Sequence, residues 1–154
     1  MKNYIGTKLI KAEPMTRGAY NEYRGWQIPK DENPEDEGYL VRYSDSYVSW
    51  SPKEVFESAY LEVNDNKELP SGVSIGQQMV DDFILETEVT TMGERTTVVR
   101  CVLRNGFEIV ESSSCVDPKN YSEKIGAEIC MSKIKDKIWE LLGFLLQTAW
   151  HGIR

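Results

Sequence analysis

The chain has 154 residues, 28% charged and 40% hydrophobic, with a formal net charge of −7. That length allows one ordinary domain or two small ones, and the acidic balance excludes a sequence-independent grip on a DNA or RNA polymer. No apolar run approaches the roughly 20 residues of a membrane span, and the start, MKNYIGTKLIKAEP, lacks a signal-peptide pattern, so the expected location is the cytoplasm.

In chain order, residues 4–11 predict a short strand, and residues 31–38, DENPEDEG, an acidic loop. Residues 39–43 and 47–50 alternate apolar and polar positions and predict a hairpin around Ser44, Asp45 and Ser46. The next stretch, SPKEVFESAY, predicts a helix with Ser51 as N-cap, Pro52 at the first helical position and Glu54 closing a capping box. One or two helices on a small sheet are expected for residues 1–62. Polar and turn-forming residues crowd residues 63–72, which read as a linker.

A second domain is expected over residues 73–154. It opens with a helix over 74–83, followed by β-rich sequence over 84–91, a turn at Met92 to Arg95, and a β-branched strand over 96–103. Asn105-Gly106 predicts a type I′ turn, because both central residues of that turn need positive φ. The returning strand covers 107–112. Asp117-Pro118 is suited to cap and open a helix, and Ile125, Ile129, Ile134, Ile138, Leu141 or Leu142, and Leu145 recur at helical spacing to about Ala149. Trp139, Phe144 and Trp150 widen that apolar surface, which predicts an oligomer. The fold class is therefore α+β: a small N-terminal β/α module, then a three-stranded antiparallel meander with a helix before it and a long helix after it.

Chemistry concentrates where the meander meets the long helix. Cys115, or a serine among Ser112, Ser113 and Ser114, is a nucleophile only with a base in reach, and His151 is the chain's single imidazole. No glycine-rich phosphate cradle occurs. Three widely spaced cysteines argue against a disulfide framework, and one histidine argues against zinc. No catalytic residue, metal or cofactor is expected. The same junction reads equally as a receptor in which hydroxyls, N–H groups at the helix start and nearby Lys or Arg hold phosphate oxygens. Phe107 or Tyr121 would stack on a base. The plainest alternative is serines capping a turn, Cys115 in the core and lysines on a wet face.

The order TTVVRCVLRNGFEIVESSSCVDPKNY, then EKIGAEICMSKIKDKIWELLGFLL, resembles the phage Thoeris anti-defence protein 1 family over residues 74–149. That resemblance implies a non-enzymatic sponge in the host bacterial cytoplasm. Its partners would be a cyclic ADP-ribose derivative (glycocyclic ADP-ribose), cyclic di- or trinucleotides at separate sites, and other copies of itself, from dimer to hexamer. The family's pockets use an aromatic, an asparagine and basic side chains, which maps here onto Phe107, Asn120, Arg104 and Lys137, with Arg95 as a second basic candidate. Asn105, Ser113, Ser114, Tyr121 and Lys133 complete the candidate ligand set. The first 60 or so residues resemble a short module at the start of other phage proteins, to which no role is assigned. The competing readings are an enzyme that degrades a cyclic nucleotide signal and a phage structural or interaction module.

Overall fold

The computed structural model describes residues 1–66 and 68–154. It divides into two compact units, Met1–Glu62 with Thr148–Arg154, and Val63–Gln147.

In the first unit, β1 (Lys11–Pro14), β2 (Gly38–Arg42) and β3 (Val48–Pro52) form an antiparallel sheet in that order. The first strand lies further along than the predicted 4–11, because Lys11 to Pro14 pair with Arg42 back to Tyr39. The helix α1 (Arg17–Arg24) is the second of the one or two helices expected in this unit, at a position the sequence pattern did not assign. Its ends are nevertheless well specified: Thr16 accepts from the Ala19 N–H, and Gly25 closes it at φ 69°.

The helix α2 (Lys53–Ala59) exists, but the capping box does not: Pro52 occupies the cap position and no side chain caps the helix. Ser51 and Pro52 are held in β3 opposite Tyr39 and Gly38, so strand pairing takes the residues the cap would need. A stack of Tyr39, Phe56 and Tyr60, at 4.1 and 4.9 Å between ring centroids, fastens α2 to the sheet.

The second unit opens with a two-stranded ladder, β4 (Asn64–Asp65) against β5 (Val73–Ser74). The expected linker therefore contains paired backbone, while Lys67 within it lies outside the described residues. Pairing of Val73 and Ser74 also delays the following helix, α3, to Gln77–Asp82. Next come β6 (Ile84–Met92), β7 (Thr96–Leu103) and β8 (Glu108–Ser114), an antiparallel meander with β7 in the centre.

The β7–β8 connection is a hairpin of a different type from the one predicted. Leu103 N–H donates to Phe107 O (2.8 Å), Gly106 N–H to Leu103 O (2.8 Å) and Phe107 N–H to the Asn105 side chain (3.0 Å). Gly106 has φ 84° and Asn105 does not have positive φ. This is a three-residue loop ending in a left-handed residue. The β2–β3 hairpin repeats it: Tyr43 N–H donates to Tyr47 O, Ser46 N–H to Tyr43 O and Tyr47 N–H to the Asp45 carboxylate, with Ser46 at φ 68°.

The long helix α4 (Glu123–His151) covers one face of the meander. Strand β7 alternates strictly, so Thr97, Val99, Cys101 and Leu103 point inward and are buried. They meet Gly126, Cys130, Ile134, Ile138 and Leu142, a row at every fourth residue of α4. Of the expected stripe, Ile134, Ile138 and Leu142 are core, while Ile125, Ile129, Leu141 and Leu145 flank it and stay exposed. Burial holds the Cys101 and Cys130 thiols above their ordinary range. No described helix is long and apolar enough to cross a membrane.

Candidate functional site

Antiparallel pairing decides which residues share an end of the meander. The rung Thr96 to Ser114 marks one end and the rung Val102 to Glu108 the other, roughly 20 Å apart at the usual rise per strand residue. At the first end the β6–β7 turn carries Arg95. There β8 runs out into Cys115 and a single 3₁₀ turn, Pro118–Asn120, which Asp117 caps by accepting from the Lys119 N–H at 2.9 Å. Only after that turn does α4 begin, with the Ser122 hydroxyl accepting from the Ile125 N–H. The predicted helix start at Asp117-Pro118 is thus one short turn, separate from the main helix.

A cleft of about 340 Å3, partly open to solvent, opens at this end. The sheet supplies Arg95, Thr97, Ser113 and Ser114 to its walls, the junction supplies Cys115, Asn120, Tyr121 and Ser122, and α4 supplies Ile125, Gly126 and Ile129. Its lining therefore holds one cation, several hydroxyls and an amide, and no carboxylate or imidazole.

Gly126 permits the close approach that shapes this cleft. A Cβ there would lie 2.6 Å from Thr97 Cβ, and Thr97 is fully buried. The Tyr121 hydroxyl reaches across to Thr91 Oγ1 (2.6 Å) and Thr97 Oγ1 (3.0 Å), pinning the junction to β6 and β7. Thr91 also donates to the Glu123 carboxylate at the start of α4.

The candidate ligand residues separate into three stations. Arg95, Ser113, Ser114, Asn120 and Tyr121 line the cleft. Arg104, Asn105 and Phe107 sit at the far hairpin, where the Asn105 side chain is occupied by the turn and Phe107 is 55% exposed. Lys133 and Lys137 lie along α4 beside β8: Lys133 Nζ donates to Ser112 O (3.0 Å), and Lys137 pairs with Glu111. That pairing holds the Glu111 carboxyl below its usual range. Thr97, Ser122, Ile125, Gly126 and Ile129 were not among the candidates.

The Cys115 thiol donates to Asp117 O at 3.2 Å. His151, the single imidazole, belongs to the other compact unit. Among the described residues no group of His, Cys, Asp and Glu is arranged to hold a metal ion.

Comparison with characterised proteins gives no match, and neither does comparison with solved structures. Residues 75–150 do match a family model, described as the phage protein (N4 Gp49/phage Sf6 gene 66) family. The cleft lies wholly inside the matched segment. The family's description names phage proteins and no ligand, and the match indicates a phage protein.

Proposed function

We propose that this phage protein binds and sequesters a cyclic ADP-ribose-type immune signal in the host cytoplasm without cleaving it, and so blocks Thoeris-type immunity. The observation that carries the reading is the make-up of the cleft. A guanidinium, hydroxyls and an amide face one space with two isoleucines, and no general base accompanies Cys115 or the serines there. Such a set suits holding a phosphate better than displacing one. The resemblance over residues 74–149 names the class of signal, and the phage family match over nearly the same residues is compatible with it.

A sponge must compete with the host's sensor, which calls for nanomolar affinity, about −12 kcal/mol. A cyclic ligand is already preorganised and loses little freedom on binding. Exposed Ile125, Ile129, Leu141 and Leu145 on α4 support self-association, from dimer to hexamer, around such sites. The second ligand class, cyclic oligonucleotides, would occupy separate stations, for which Arg104 and Lys137 are the basic candidates.

The test is calorimetric titration with cyclic ADP-ribose isomers, followed by heat denaturation and chromatography of the released ligand. Tight binding and intact ligand are expected. A hydrolysed product would make the protein an enzyme, and no heat with any isomer or cyclic oligonucleotide would leave a structural or interaction module.

A further inference from the structure

The hydrogen bonds around the cleft divide its polar groups into those already occupied and those left for a ligand. Ser114 Oγ is paired with Thr96 Oγ1 at 2.8 Å, whereas Ser122 Oγ caps α4 by accepting from the Ile125 N–H and keeps its own O–H as a further donor beside the cleft. Thr97 and Tyr121 satisfy each other, and Cys115 is bonded to Asp117 O. Arg95 uses one amino group on Val116 O at 3.1 Å, which leaves most of its five N–H donors unused. Among the described residues, neither the Ser113 hydroxyl nor the Asn120 side-chain amide has a hydrogen-bond partner, yet both line the cleft.

We infer that the cleft is a subsite for one phosphate ester of a nucleoside. Arg95, Ser113 and Asn120 donate to the phosphate, and Ile125 and Ile129 cover the sugar or base. This rests on the proposed sequestering function and narrows it: each cleft takes one phosphate, whatever larger molecule carries it.

Three arguments support that class. The charged lining is a lone guanidinium without a carboxylate, so the site favours an anion. Guanidinium, hydroxyl and amide are all donors, matching a group that only accepts. Ile125 and Ile129, 57% and 43% exposed, stand one turn apart on α4 and offer an apolar wall whose burial would favour binding.

The inference also assigns no ligand contact to Ser114, a prediction opposite to that of a pocket using every polar side chain on its wall. It likewise separates Arg95 from Arg104, which carries the same charge at the far hairpin.

The experiment titrates the full chain with AMP, adenosine and cyclic ADP-ribose at fixed ionic strength, in the parent and in Arg95→Ala, Ser113→Ala, Asn120→Ala, Ser114→Ala and Arg104→Ala. AMP should bind at least about 10-fold tighter than adenosine. Arg95→Ala should weaken AMP about 10- to 100-fold, the value of a charge-assisted hydrogen bond. Ser113→Ala and Asn120→Ala should each weaken it about 10-fold, with Ser114→Ala and Arg104→Ala within about threefold of the parent.

Equal binding of adenosine and AMP, no binding of AMP, or loss of affinity in Ser114→Ala as large as in Ser113→Ala would overturn the inference. Should Arg95→Ala fail to fold, Ser113→Ala and Asn120→Ala decide alone. Arg95-dependent AMP binding without cyclic ADP-ribose binding would sink the signal reading and leave this inference standing. Cyclic ADP-ribose bound equally by the parent and the three donor variants would do the reverse.

Discussion

Gly126 and Gly143 lie on the same helix, and the same substitution at each should move stability in opposite directions. Alanine is favoured over glycine in a helix interior by about 1 kcal/mol, from backbone entropy alone. At Gly143 an added Cβ meets nothing within 4 Å, so Gly143→Ala should realise that gain. At Gly126 the added Cβ would lie 2.6 Å from the Cβ of Thr97, whose side chain is fully buried beneath the helix and cannot swing into solvent. Overpacking of this kind costs about 1–3 kcal/mol, and so hard a contact belongs at the upper end. The net expectation for Gly126→Ala is a loss of about 2 kcal/mol, and for Gly143→Ala a gain of about 0.5–1 kcal/mol. Urea denaturation followed by circular dichroism would read both. If Gly126→Ala equals or exceeds the parent in stability, α4 does not approach β7 as described, and the cleft between them loses its geometry.

Four further expectations rest on other contacts. Tyr121→Phe removes the hydroxyl shared with Thr91 and buried Thr97, and should cost about 1–3 kcal/mol in the same denaturation assay. Ser46→Gly should stabilise by about 1 kcal/mol and Gly106→Ala destabilise by about as much, because a left-handed residue with a Cβ carries that penalty; changes of the same sign at both turns would contradict the hairpin geometry. The carboxyls of Asp81, Glu108 and Glu111 are held below their usual range by Lys135, Arg100 and Lys137 respectively. Their contribution is therefore present above the ordinary carboxylate range of about 4 and is lost as pH falls through the depressed native values, so melting temperature should decline on acidification and Glu111→Gln should flatten that decline. Finally, Ile129→Asp together with Leu141→Asp should shift sedimentation toward the monomer if the exposed α4 surface joins copies.

Much of the fold was legible because local pattern and long-range pairing agreed. The run TTVVRCVL is β-branched and alternating, and β7 is the central strand with every second side chain buried. The final helix follows its apolar repeat, although the buried row is shifted by one position at Ile125 and Ile129, where Gly126 and Cys130 face the sheet instead. A glycine and a cysteine carry little hydrophobic signal, yet their small size is what lets helix and strand approach. The helix α1 was not placed because the side of RGAYNEYR that it buries, Gly18, Tyr20 and Asn21, carries little hydrophobic signal, while its real signals, Thr16 before it and Gly25 after it, lie outside the segment. At Ser51-Pro52 the local signal was strong and lost to tertiary pairing with Tyr39 and Gly38.

The sequence pointed to the junction where the cleft lies, but its candidate residues fall at three separate stations, and one step of topology explains the difference. A meander puts its two turns at opposite ends. Once strands are assigned to 84–91, 96–103 and 107–112, Arg95 and Phe107 cannot meet in one pocket of one copy, and Arg104 travels with Phe107. What the sequence leaves open is which neighbours the strand alternation brings to Arg95 from afar. Thr97 is found through its β pairing with Ser113, and Gly126 only through the helix that settles on Thr97. The polar census sharpens the point: serines adjacent in sequence have different tasks, since the pleat turns Ser114 toward Thr96 and leaves Ser113 facing the cleft. Of the two serines of β8 that line the cleft, Ser113 is thus the one whose hydroxyl has no partner among the described residues, beside a guanidinium and an amide contributed by two separate turns.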